Sequence, residues 1–135
     1  MKIYFAGSIR GGRDDAELYA KIIAFMKEKG HTVLTEHIGA PTLSAMGEVD
    51  KADTTIYRQD TSWLLESDVV IAECSTPSLG VGYELAFAEA HGKPVHIFYN
   101  SGRGILSAML TGDDYFSVHY YTSAPELFAE LEKIL

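Results

Sequence analysis

Two carboxylates stand where a reacting centre would need them. Glu84 closes the run Ser78-Leu79-Gly80-Val81-Gly82-Tyr83-Glu84, a glycine-rich entry into a helix, and is expected in or near the first turn. The small residues before it leave room for a ligand to approach the backbone, so the carboxylate is placed to act as nucleophile or base. A plainer reading competes, because the helix dipole favours an acidic residue in a first turn whatever the protein does. Asp60 lies among Ile56, Trp63 and Leu64 at helical spacing, on an apolar stripe. Partial burial there raises a carboxyl pKa toward the range useful for proton transfer. The alternative is a structural aspartate that accepts hydrogen bonds from a loop.

A third feature suits an anion. Gly7-Ser8-Ile9-Arg10-Gly11-Gly12 offers backbone N–H groups, a hydroxyl and a guanidinium just ahead of a helix, the ingredients of a phosphate cradle. It is neither the Walker pattern nor the dinucleotide G-x-G-x-x-G, and glycines that merely turn the chain beside a solvated Arg10 would look the same. Tyr4 sits inside a short apolar strand, where aromatics serve packing, yet a buried hydroxyl needs a partner. His37, expected at the end of the second strand, stands at the same edge and could line a pocket. The five histidines, 31, 37, 91, 96 and 119, show no metal-binding spacing, and neither a metal nor a cofactor is expected.

These groups must be positioned by a scaffold, and the hydrophobic pattern supplies one. Residues 2–6 are strand-like; Asp14 with Glu17 resembles a capping box for a helix that Gly30 ends. Strand 31–37, an irregular stretch 38–52, helix 53–67 and the apolar strand 68–74 follow. A loop over 75–79, a helix to Gly92, strand 94–99, loop 100–104, a short helix 105–110, strand 116–121 and a last helix capped by Ser123 with Glu126 complete the chain. Five strands alternating with helices predict a single α/β domain over 1–135 with a doubly wound parallel sheet, flavodoxin-like in its order 2-1-3-4-5. Ligands of such sheets bind beyond the carboxyl ends of the strands where the order reverses, here between the first and third, so the loops beginning at Gly7 and Ser75 face the site.

Composition narrows the partner. The chain has 135 residues, 47% of them hydrophobic, no apolar run long enough to span a bilayer, and an N-terminus that runs straight into a strand. A cytoplasmic protein that neither crosses nor binds a membrane is expected. Cys74 is the sole cysteine, in keeping with a reducing compartment. Eleven basic against nineteen acidic residues give a charge of −8, which repels polymeric nucleic acid but leaves room for a small anion held locally.

Taken together, Tyr4-Phe5-Ala6-Gly7-Ser8-Ile9-Arg10-Gly11-Gly12, Leu34-Thr35-Glu36-His37, Gln59-Asp60, Pro77-Ser78-Leu79-Gly80-Val81-Gly82-Tyr83-Glu84-Leu85 and Leu106-Ser107-Ala108-Met109 resemble the Rcl family of 2′-deoxynucleoside 5′-phosphate N-hydrolases, relatives of the nucleoside 2-deoxyribosyltransferases. The resemblance implies a homodimeric hydrolase that splits a deoxynucleotide into free base and 2-deoxyribose 5-phosphate. It implies Glu84 as nucleophile, Asp60 as acid/base and Tyr4 as the tyrosine that arranges the site. Gly7, Ser8, Ile9, Arg10, Ser78 and Gly80 correspond to nucleotide contacts, and Ser107 to a phosphate contact donated by the neighbouring subunit. Residues 39–55 match no motif of the family and could cover the base. The competing readings are a deoxyribosyltransferase, an N-hydrolase of a modified cytidine-type ribonucleotide, and a nucleotide-sensing module without activity.

Overall fold

Alternation at a period of two lets one strand serve two hydrophobic layers. In the computed structural model, which describes residues 1–9, 12, 15–40, 47, 48 and 50–135, β1 (Lys2–Ala6) sends Ile3 and Phe5 into one layer and Tyr4 and Ala6 into the other. With β2 (Thr32–Val33), β3 (Val69–Glu73), β4 (Val95–Asn100) and β5 (Ser117–Tyr121) it forms a parallel sheet in the expected order β2-β1-β3-β4-β5. Helices α1 (Ala16–Glu28) and α5 (Ala124–Ile134) supply Tyr19, Ile22, Met26, Leu127 and Leu131 to the Ile3/Phe5 layer. Helices α2 (Asp53–Glu66) and α3 (Leu79–Ala90) supply Leu64, Val81, Leu85 and Ala88 to the Tyr4/Ala6 layer. Tyr4 therefore points toward the two helices that carry Asp60 and Glu84. A short α4 (Ala108–Thr111) lies between β4 and β5. Among the described residues no helix is long and apolar enough to cross a membrane.

Three local expectations change. The second strand is far shorter than 31–37, because the buried Thr35 hydroxyl takes over its pairing: it accepts from Phe5 N at 2.9 Å and donates to Phe5 O at 2.6 Å. Released from the ladder, the backbone turns into a 3₁₀ helix over Glu36–Gly39, so His37 stands on that helix and not at a strand end. At α5 the Glu126 carboxylate serves Thr122, accepting from its N at 3.0 Å and its hydroxyl at 2.8 Å, while Ser123 occupies the N-cap without a side-chain bond. At α1 the N-cap is Asp15, also without a side-chain cap bond, and Asp14 lies outside the described residues. Gly30 does end α1 as expected: at φ +89° it lets His31 N reach Met26 O at 3.2 Å.

The α1–α5 side of the sheet holds an acid-sensitive contact. His96 Nδ1 and His119 Nε2 are 3.0 Å apart on adjacent strands, the His119 ring stacks on Phe98, and Glu130 Oε2 lies 4.0 Å from His119 Nδ1. One of the two facing nitrogens must be unprotonated to accept. Burial lowers the pKa of both imidazoles, and the mutual charge lowers that of His96 further, against the opposite pull of Glu130 on His119. With folded pKa values below the unfolded one, the unfolded chain binds protons first, so this contribution is intact above about pH 6.5 and is lost as pH falls. A His96→Gln/His119→Gln variant is expected to lose less melting temperature than the parent between about pH 7.5 and pH 5, by a few degrees. Parallel melting curves across that range would show that the pair does not set this sensitivity.

Candidate active site

The reversal of strand order between β1 and β3 opens a cleft of about 1180 Å³ at the carboxyl edge of the sheet. Gly7, Ile9, His37, Asp60, Ser78, Gly80, Glu84 and Ser107, all expected at the site, line it together. Tyr4 sits beneath it in β1, 1% exposed. Ser8 is buried behind the wall, its backbone N–H donating to the Tyr19 hydroxyl at 3.0 Å. Gly7 is required for that arrangement, since a Cβ there would meet the Tyr19 ring at 2.8 Å. Arg10 and Gly11 lie outside the described residues.

Glu84 is held by its helix. Val81, Leu85 and Ala88 bury the sheet-facing side of α3, and Ser78 caps the helix by accepting from Val81 N at 3.3 Å. Because α3 begins at Leu79, Glu84 falls in its second turn and not its first, so the helix dipole does not account for an acid at this place. Its Oε2 is buried with no hydrogen-bond partner among the described residues. Burial pushes its pKa up to about 8; the neighbouring Tyr4 hydroxyl offsets part of the shift, and the charge of Asp60 adds to it. Tyr4 itself is pushed well above its ordinary value by burial, then by Glu84 and Asp60, and stays a neutral donor.

Asp60 lies one turn before Leu64, the residue that anchors α2 in the core, and is itself half-buried. Burial raises its pKa; the Gln59 amide, His37 and Lys51 pull it down, and Glu48 pushes it up. The cleft thus holds two carboxyl groups that both bind protons more tightly than free carboxylates. Such a pair can divide the work of nucleophile and acid at one bond. Cys74, whose thiol burial pushes up to about 12, cannot supply a thiolate. Among the described residues no group of three or more His, Cys, Asp or Glu side chains is placed to hold a metal ion.

The pattern of the Nucleoside 2-deoxyribosyltransferase family matches residues 3–127. The chain belongs to that family. It is 52% identical over 117 residues to a 5-hydroxymethyl-dUMP N-hydrolase of Tetraodon nigroviridis, covering 84% of this chain and 81% of that one. It is 50% identical over 113 residues to the 5-hydroxymethyl-dUMP N-hydrolase of Rattus norvegicus, covering 82% and 68%. Among solved structures, a CMP N-glycosidase of Clostridium botulinum superposes with a TM-score of 0.73 over the full length of both chains at 18% identity, a likeness of fold.

Two polar networks that no sequence motif announces also shape the site. Glu73, 1% exposed at the end of β3, accepts from the Tyr121 hydroxyl at 2.9 Å, from Ser75 N at 3.3 Å and from the Ser75 hydroxyl, which in turn accepts from Asn100 N at 2.9 Å. This ties the ends of β3, β4 and β5. The signal was present, since an acid inside an otherwise apolar buried strand calls for partners. The second network joins Arg103 to Asp15 Oδ1 at 3.0 Å and to the Thr76 hydroxyl at 3.1 Å, with Thr76 donating to Asp15 Oδ2 at 2.8 Å. It draws together three loops remote in sequence, and no local pattern announces it. Ser107, expected at the site, is the N-cap of α4, accepting from Met109 N at 3.3 Å.

The burial of Glu84 has a sign that can be measured. Its folded pKa exceeds its unfolded one, so the folded state holds a proton that the unfolded state releases above about pH 4.5, and stability falls as pH rises toward 8. Replacing the acid by its neutral isostere, Glu84→Gln, is expected to raise stability above pH 8 by on the order of 1–3 kcal/mol and to flatten that decline. Urea unfolding at a series of pH values checks it; a variant that is no more stable at high pH would show the carboxylate to be well solvated.

Proposed function

We propose that this chain hydrolyses the N-glycosidic bond of 2′-deoxynucleoside 5′-monophosphates, releasing free base and 2-deoxyribose 5-phosphate, with Glu84 as nucleophile and Asp60 as acid and then base. The observation that carries the proposal is the buried Glu84 carboxylate, aimed into the cleft beside a second raised carboxyl and steadied by Tyr4. The relatives at 50–52% identity bear N-hydrolase names, which favours water over a second base as acceptor. A sensing module would have no use for two carboxyl groups held out of water.

The chemistry follows from the charges. Asp60 gives its proton to the departing base as the C1′–N bond breaks, and the positive charge growing on C1′ is taken up by a bond to a Glu84 oxygen. Asp60, now ionised, removes a proton from water; the water oxygen bonds to C1′, the ester breaks, and both carboxyl groups return to their starting states. Burial makes both carboxyl groups hold protons more tightly than free carboxylates, and the reactive arrangement is the one in which Glu84 is ionised and Asp60 carries the proton. The cationic sugar stabilises it, because an anionic Glu84 is then no longer unpaired. A 2′-deoxy sugar lacks the electron-withdrawing hydroxyl that disfavours the cation.

The phosphate is assigned to Gly7, Ile9, Arg10, Ser78 and Ser107 of a second copy. The support for a homodimer is the surface around Ser107: Ile105 is 96% exposed and Met109 80%, and both line the cleft, as does Leu79 at 97%. A partner covering these side chains would bring its own Ser107 to the phosphate. The cytosol, where deoxynucleotides are found and a lone buried thiol stays reduced, is the assigned compartment.

Two experiments follow. Glu84→Gln is expected to bind deoxynucleotides but to release base at least about a thousandfold more slowly, whereas Asp60→Asn should slow natural bases far more than an activated leaving group. Turnover near the parent's in Glu84→Gln, or equal losses on both leaving groups in Asp60→Asn, would remove the assigned roles. For the composite site, Glu84→Gln chains are mixed with Ser107→Ala chains and allowed to exchange. If Ser107 acts across the interface, one site of each heterodimer regains every group, and the kcat/KM of the mixture rises toward about a quarter of the parent's. Verified exchange without recovery would place Ser107 outside the partner's site.

A further inference from the structure

A ring of three hydrogen bonds at the carboxyl edge of the sheet takes no part in the chemistry. Arg103 donates from Nη1 to Asp15 Oδ1 at 3.0 Å and from Nη2 to the Thr76 hydroxyl at 3.1 Å, and that hydroxyl donates to Asp15 Oδ2 at 2.8 Å. The three residues belong to three loops. Asp15 closes the glycine loop that begins at Gly7 and is the N-cap of α1. Thr76 lines the cleft two residues before Ser78, the N-cap of α3. Arg103 ends the 3₁₀ turn Ser101–Arg103 that leads toward Ser107. Each loop carries a group assigned to the phosphate, and the ring is where the three are tied together.

Two observations separate positioning from plain stabilisation. Asp15 makes no side-chain bond to the helix it caps; both carboxylate oxygens go to the ring instead. The Arg103 side chain is 38% exposed, and an ion pair open to water adds little stability, so the ring acts chiefly on where the loops stand. Its anchor is fixed from behind. Asn100 donates its N–H to Ser75 Oγ at 2.9 Å and accepts from Gly102 N at 2.9 Å, and the Tyr99 hydroxyl donates to Arg103 O at 3.3 Å. On the other side Gly12, at φ +134°, faces the Thr76 methyl, where a Cβ would stand 3.6 Å away. Glycine-rich backbone loses much entropy when it is ordered, so fixing it before the ligand arrives raises affinity.

We propose that Arg103 is a positioning residue for the 5′-phosphate: through Asp15 and Thr76 it fixes the glycine loop against the loop of Ser78, and so sets the preference for a phosphorylated over an unphosphorylated sugar. The inference rests on the hydrolase reading and its phosphate assignment. Arg103 acts through its neighbours and not as a ligand, because Asp15 balances its charge and both terminal nitrogens are engaged within the ring. Asp15 is therefore expected to matter with the same sign as Arg103, although a carboxylate by itself repels phosphate.

The test uses Arg103→Ala, Asp15→Ala and the double variant. Calorimetry measures binding of 2-deoxyribose 5-phosphate, and kcat/KM is compared for the 4-nitrophenyl glycosides of 2-deoxyribose 5-phosphate and of 2-deoxyribose. Each single variant is expected to bind the sugar phosphate about tenfold more weakly, with the double no weaker than either, because both remove the same tie. The ratio of the two glycosides should fall by the same factor while the unphosphorylated one turns over as in the parent, which shows that the fold and Glu84 are intact. Equal losses on both glycosides would overturn the proposal and leave the ring a support of the fold. So would binding in Asp15→Ala as tight as in the parent or tighter, since charge and not position would then be what Arg103 supplies. A parent that binds the sugar phosphate in this Arg103-dependent way but releases base from no deoxynucleotide would instead bring down the hydrolase reading alone.

Discussion

The burial of the Glu84 carboxylate beside the Tyr4 hydroxyl is the interaction on which the rest of the site depends. An anion removed from water and offered one phenol is costly, and the molecule answers by holding a proton there to about pH 8. A carboxylate that binds a proton tightly also binds a cationic carbon tightly. What destabilises the empty site is thus what would stabilise an oxocarbenium-like sugar, a trade between stability and activity common at reacting centres. Asp60 adds to this: its charge raises Glu84 further, and half-burial raises its own affinity for a proton.

That arrangement needs three elements to meet on one side of the sheet. The period of two in β1 turns Tyr4 toward α2 and α3, while the apolar stripes of those helices fix which way Asp60 and Glu84 face. The loops at the carboxyl edge are then tied to one another by charge. Glu73 gathers Ser75 and Tyr121, and Arg103 bridges Asp15 and Thr76, so the segments that follow β3 and β4 and precede α1 are held to one another by polar bonds. Partly buried networks of this kind specify position more than they add stability.

Much of this is legible in the sequence, for reasons that differ by residue. The strand order and the helix spans follow from hydrophobic period and from stops such as Gly30, which are local properties. The gathering of Gly7, Asp60, Ser78 and Glu84 in one cleft follows from the topology, because parallel strands bring their following loops to one edge. The misses are where side chains replace backbone. Thr35 cuts β2 short by bonding to Phe5, and Thr122 takes the Glu126 carboxylate that was expected at Ser123. The Asp15–Arg103 pair spans 88 residues and could not be read locally. Glu73 could have been: an acid in a strand buried on both faces announces a network.

The Glu84 carboxylate is assigned the role of bonding to the sugar carbon during turnover. Its most direct test is acid quenching of the protein in the first turnovers of a 2′-fluoro-2′-deoxynucleotide, whose electron-withdrawing fluorine slows breakdown of a glycosyl ester, followed by proteolysis and peptide mass spectrometry. A fluorodeoxyribose 5-phosphate ester is expected on the peptide carrying Glu84, appearing with free base and decaying as sugar phosphate is released. An ester on another carboxylate, or base release in the burst with every peptide unmodified, would contradict it.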